Sequence, residues 1–143
     1  MFKFDYKKGV IIGLMVAVLS FVLSMVAGFA QAPFFQDIGC DCMINAMQPF
    51  WLWILIIFVL TLIYGIVLGL LFSLHYKMLP YKGFRKGAVF GIGIWVIASL
   101  FPEIFNSMVF NMPKSSVVVG IIAELFIGII VWGIAGVVYG KLR

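Results

Sequence analysis

Two places in this 143-residue chain hold residues whose types and spacing can do chemistry. The first is GCDCMINAM, residues 39–47. Cys40 and Cys42, the only two cysteines, flank Asp41, and Met43 and Met47 follow. Two thiolates beside two thioethers are donors for a soft ion such as copper(I). The single histidine, His75, lies elsewhere, which argues against an ordinary zinc set in this stretch. The second place is Glu124, an acid set in the apolar run IIAELFIGII.

A disulfide is a weaker reading of the cysteines. Cα atoms two residues apart span at most about 7 Å, at the edge of the separation a disulfide accepts. So small a ring is strained and readily reduced, and it removes little chain entropy. The quinone-linked disulfide-forming membrane enzymes are similar in having four helices and outer-loop cysteines. That resemblance would imply thiol redox chemistry at Cys40 and Cys42. Those enzymes carry C-x-x-C and a second cysteine pair, and this chain has C-x-C alone. Asp41 also opposes formation of a thiolate beside it.

The elements that position these residues follow from composition. The chain is 65% hydrophobic and 10% charged, whereas a soluble domain carries about 25% charge. A bilayer is the matching solvent. Four apolar segments, 9–30, 50–74, 87–105 and 117–139, each approach the ~20 residues a helix needs to cross the hydrocarbon core. Lipid admits only helices and closed barrels, and the segments lack the alternation of barrel strands. The fold class is therefore an all-α integral membrane protein with four transmembrane helices in one domain. The net charge of +5 is spread between apolar runs and forms no basic patch, so nucleic acid is not expected as a partner. The first segment has an Ala30-Gln31-Ala32 sequence like a signal cleavage site. Its apolar run is too long for a signal core and Pro33 follows the cut, so it is read as a retained span.

Lys3, Lys7 and Lys8 precede the first span, Lys77, Lys82, Arg85 and Lys86 fall between the second and third, and Lys141 and Arg143 follow the fourth. Cytoplasmic loops collect such residues. Both termini and the inner loop, 75–86, are expected in the cytoplasm of a cell bounded by this plasma or inner membrane. The outer loops are 31–49 and 106–116, the first holding the cysteines and the second Met108 and Met112.

KKGVIIG (7–13) is echoed by RKGAVFG (85–91), and IYGIVLG (63–69) by VWGIAG (131–136). The chain thus reads as two tandem helical hairpins, a parallel repeat about an axis along the membrane normal. The pairs Gly9/Gly13, Gly65/Gly69 and Gly87/Gly91 allow close helix approach. Gly13, Ala17, Ser20, Ser24 and Ala27 fall within about 40° of one helical face, which is expected to be buried. The same pattern in the fourth span carries Glu124 among Gly120, Gly128, Val131 and Ala135.

Glu124 lies about 12 Å below the outer end of its helix at 1.5 Å per residue. A charge at such depth costs ~3 kcal/mol on insertion scales. Ser20, Ser24, Thr61 and Ser99 fall near the same level and form with it an expected midplane polar site. In the functional reading Glu124 binds a cation or proton on a path; in the structural one its neutral form is a tie between helices. Its equivalent in the first hairpin is Ile56, so the acid belongs to one half only. Glu103 follows Pro102, where proline is expected to kink or end the third helix; it is read first as a solvated end residue and alternatively as the mouth of such a path. His75 is read as an interfacial side chain.

No nucleotide loop, triad or haem signature is present, so an enzyme is not expected. The leading expectation is an oligomeric transporter or channel for a small ion or solute, with a soft metal such as copper as one cargo. The alternatives are a non-catalytic membrane subunit or assembly factor, and a thiol redox protein. The expected partners are the lipid bilayer and either further copies of the chain or another membrane protein.

Overall fold

The computed structural model describes residues 5–31, 50–109 and 114–142, and the statements below concern these. They form helices and turns, with no strand among them. The elements are α1 (Tyr6–Gln31), α2 (Phe50–His75), α3 (Gly83–Trp95), a π-helical turn (Val96–Leu100), α4 (Phe101–Val109) and α5 (Lys114–Lys141). Four stretches are long and apolar enough to cross a membrane: Tyr6–Gly28, Ile54–His75, Gly83–Phe105 and Val117–Lys141. The third joins α3, the π turn and the start of α4 into one span. The first, third and fourth spans extend two to four residues past the expected apolar segment at one end or both, and α2 extends one. Helix geometry continues through the polar flanks until a cap or turn residue stops it.

Asp5 makes the start of α1. Its carboxylate accepts from the Lys8 backbone N–H at 3.2 Å, satisfying one of the donors a helix leaves open. The expected proline break does not end the third helix. α4 runs on through Pro102 to Val109. Proline removes one backbone donor and crowds the carbonyl four residues back. The chain absorbs this in the π turn immediately before it, where the Phe101 N–H donates to the Val96 carbonyl five residues earlier.

α1 packs along α2, α3 packs along α5, and the two pairs meet chiefly where α1 lies against α5. Glycine makes both close crossings. A Cβ on Gly13 would stand 2.5 Å from the Gly65 carbonyl oxygen and 2.6 Å from the Ile66 Cα. A Cβ on Gly91 would stand 2.6 Å from the Gly128 carbonyl oxygen. Lipid tails are as apolar as the side chains, so burial alone drives no association here; close backbone contact and dispersion do.

The packing is uneven along the bundle. Ile12, Val16, Leu68, Phe72, Val131, Trp132 and Ala135 form the buried core, and all lie in the half nearer the two termini. Phe72 is its centre, fully buried, with ring centroids of Phe90, Trp132, Tyr76 and Tyr139 at 5.0, 5.4, 5.4 and 5.6 Å. In the opposite half, from about residue 18 onward in α1 and up to about residue 130 in α5, no described side chain is buried. The helices are closed at the terminal end and part towards the other.

Candidate functional site: a polar cavity above the closed end

Where the helices part they leave a cavity of about 300 Å³. Ser20 and Ser24 reach it from α1, Thr61 from α2, Ser99 from the π turn and Glu124 from α5. All five residues of the expected midplane site therefore line one space. Its floor is Trp132 and Leu68, at the top of the buried core.

The local reasons differ. Ser20 and Ser24 continue the small-residue face that begins at Gly13 and Ala17, one turn apart. Ser99 falls inside the π turn, whose extra residue shifts the helical phase for everything after it. Glu124 stands one turn before Gly128, whose missing side chain leaves room beside it. Thr61 bonds its own helix, its hydroxyl donating to the Ile57 carbonyl at 2.8 Å.

The expected hydrogen bonds to Glu124 are not formed. Neither its carboxylate nor the Ser20, Ser24 and Ser99 hydroxyls have a hydrogen-bond partner among the described residues. Glu124 is exposed, because the helices have already separated at its level. The cavity wall thus presents an unpaired carboxylate and three unpaired hydroxyls. Glu103 does not line the cavity, but it lies within electrostatic reach of Glu124.

Three aromatic walls were not singled out from sequence: Tyr64, Trp95 and Trp132. Tyr64 and Trp132 occupy matching places before glycine in the two repeats, and that match was the available signal. Trp95 has its indole N–H donated to the Ile121 carbonyl at 3.1 Å, which fixes its ring as a wall between the third span and α5.

Cys40, Cys42, Met43 and Met47 lie outside the described residues. Among the described residues, no group of three or more His, Cys, Asp or Glu is arranged to hold a metal ion. His75 is exposed at the end of α2, its Nδ1 bonded to the Leu71 carbonyl at 2.8 Å, as an interfacial side chain would be.

The fold and site together define a small four-helix, membrane-spanning protein with a polar cavity between its helices. Comparison with protein-family profiles, with curated proteins and with solved structures gives no match.

Proposed function

We propose that this protein is a small membrane transporter or channel for a cation or proton, with Glu124 as its binding site. The observation that carries the reading is the grouping of Glu124, Ser20, Ser24 and Ser99, unpaired, around one cavity that four spans share. An acid at this depth is expensive to keep. A purely structural acid offsets that expense through hydrogen bonds, and this one makes none among the described residues. A cation with the three hydroxyls as co-ligands supplies the missing compensation.

The two halves work as tandem hairpins with both termini in the cytoplasm. Two contacts support the repeat. Lys8, from KKG, donates to the Leu142 carbonyl at the end of α5 at 2.6 Å. Lys86, from RKG, donates to the Tyr76 carbonyl at the end of α2 at 2.7 Å. Each hairpin's first helix caps the second helix of the other, as a two-fold relation between halves requires. In this arrangement the cavity is open away from the cytoplasm and sealed on the cytoplasmic side by the Phe72 cluster. Copper(I) is one cargo, on the strength of Cys40, Cys42, Met43 and Met47 in the outer loop.

A second reading has one observation of its own. Only 6% of the third span's apolar window is buried, against 22% for the first and fourth. That face suits a second copy or another membrane protein, as an assembly subunit needs. Reconstituted vesicles separate the two. Glu124→Gln is expected to abolish proton or cation flux while leaving the purified protein's size and helicity unchanged. Unchanged flux overturns the transport reading, and lost assembly with the Gln variant favours the subunit reading.

A further inference from the structure

A second cavity, about 660 Å³, lies at the other end of the bundle, between the ends of α1, α2 and α5. Its lining comes from residues 5–8, 73–77 and 139–142. The first, second and fourth apolar spans each end within one of these stretches. The cavity is therefore at the depth of lipid headgroups, not of hydrocarbon.

Its charge is one-sided. Among the described residues, Lys7, Lys8 and Lys77 line it against a single acid, Asp5. Asp5 is already engaged: its carboxylate caps α1 and stands 3.7 Å from the Lys8 ammonium. Lys8 is likewise used, donating to the Leu142 carbonyl. Lys7 and Lys77 are exposed, with no ion-pair or hydrogen-bond partner among the described residues. Topology alone calls for basic residues at this membrane face, but it does not require two uncommitted lysines, one on α1 and one in the turn after α2, around one cavity.

The floor is polar and ordered. The Ser73 hydroxyl donates to the Asp5 carbonyl at 3.0 Å and meets the Tyr139 hydroxyl at 2.8 Å. Tyr76 is part of the wall. Burial, and secondly the neighbouring Tyr139, hold the Tyr76 phenol above the usual tyrosine range. It is a neutral hydrogen-bond donor at ordinary pH.

We infer that this cavity binds a phosphate group, held between Lys7 and Lys77 over the Ser73–Tyr139 floor. A lipid phosphodiester is the source best matched to the depth, since each lysine near a membrane surface attracts anionic headgroups. A soluble phosphate has the same chemistry, so the test must hold both. The site is separate from the Glu124 cavity, and its existence does not depend on the transport reading.

The probes are phosphatidylglycerol, phosphatidylcholine and inorganic phosphate, each added to the delipidated full-length protein in neutral detergent. Retained lipid is counted by native mass spectrometry, and phosphate by equilibrium dialysis. The variant is Lys7→Gln/Lys77→Gln, and the control is Lys82→Gln/Arg85→Gln, which removes equal charge from the same membrane face outside the cavity. Helicity and melting check that both pairs fold. Phosphatidylglycerol is expected to bind in preference to phosphatidylcholine, and the Lys7/Lys77 pair to weaken it about tenfold or more, well beyond the control. Inorganic phosphate bound through Lys7 and Lys77 without lipid retention keeps the phosphate site and assigns it a soluble source. Equal losses in both pairs, or no ligand sensitive to Lys7 and Lys77, overturn the inference.

Discussion

The Lys8 ammonium donates to the Leu142 carbonyl at 2.6 Å, so the first helix of the chain holds the end of the last. The bond does two things at once. It gives a partner to one of the carbonyls a helix leaves open at its C-terminus. It also sets a cation at the negative end of the α5 dipole, as Lys86 does for α2. Lys86 is the more enclosed of the two, buried, with its ammonium 4.2 Å from the Tyr76 ring centroid. Lys86→Met is therefore expected to cost more stability than Lys8→Met, on the order of 2 kcal/mol for a charge-assisted bond plus its ring contact. Thermal unfolding of both variants in one detergent checks the order. An equal cost for the two would mean that burial of Lys86 adds nothing.

Close crossings give the sharpest contrast between neighbouring glycines. Gly13→Ala drives a Cβ into the backbone of α2 at Gly65 and Ile66, and backbone cannot turn aside as a side chain can. The helices must separate, at about 1–3 kcal/mol for overpacking of this kind. Gly93 and Gly120 have nothing within 4 Å of the same position. Gly93→Ala and Gly120→Ala are expected to be neutral or slightly stabilising, since alanine favours the helix. Melting temperatures of the three variants decide it.

The hydroxyl chain at the terminal end has its proton directions set by arithmetic. Ser73 has one hydrogen, which goes to the Asp5 carbonyl. The Tyr139 hydroxyl must then donate to the Ser73 oxygen. Tyr139→Phe removes one donor and leaves the Ser73–Asp5 bond, costing about 1 kcal/mol. Ser73→Ala leaves the Tyr139 hydroxyl without its acceptor and removes one of the two donors to the Asp5 carbonyl, the other being the Gly9 N–H, and is expected to cost more, about 1–3 kcal/mol. A double-mutant cycle across Ser73 and Tyr139 is expected to show coupling; strict additivity would mean the bond does not form.

The helices themselves were legible because their physics is local. Runs such as FWLWILIIFVLTLIYGIVLGLLF can satisfy their backbone only as a helix in lipid, whatever their neighbours do. The Gly9, Gly13, Gly65 and Gly69 pairs were legible for a related reason, since glycine at four-residue spacing makes a groove with one use. The five polar residues of the cavity were grouped by depth alone, because 1.5 Å per residue is a reliable ruler in a span. What depth cannot say is whether residues at one level touch. Glu124 and the serines share a level but not hydrogen bonds, because the helices part there, and that separation depends on tertiary packing around Phe72. Pro102 misled for a comparable reason. The rule that proline breaks helices ignores the option of a π turn just before it, which the chain takes between Val96 and Leu100.

That same parting of the helices sets the pattern of access, and cysteine substitution reads it directly. In a Cys40→Ser/Cys42→Ser background, cysteines are placed singly at Ser24, Glu124 and Ala135. Ser24 and Glu124 line the cavity and are exposed, while Ala135 is fully buried in the closed half. A membrane-impermeant thiol reagent added outside intact cells is expected to label Ser24→Cys and Glu124→Cys, and to leave Ala135→Cys unlabelled. Phe72→Ala empties the centre of the seal, at a cost on the order of 3 kcal/mol. Combined with Ala135→Cys, it is expected to bring label to that position by opening the core between α2 and α5. Labelling of Ala135→Cys with Phe72 intact would mean the terminal end is not sealed. Labelling of Glu124→Cys only from the cytoplasmic side would invert the orientation on which the transport reading depends.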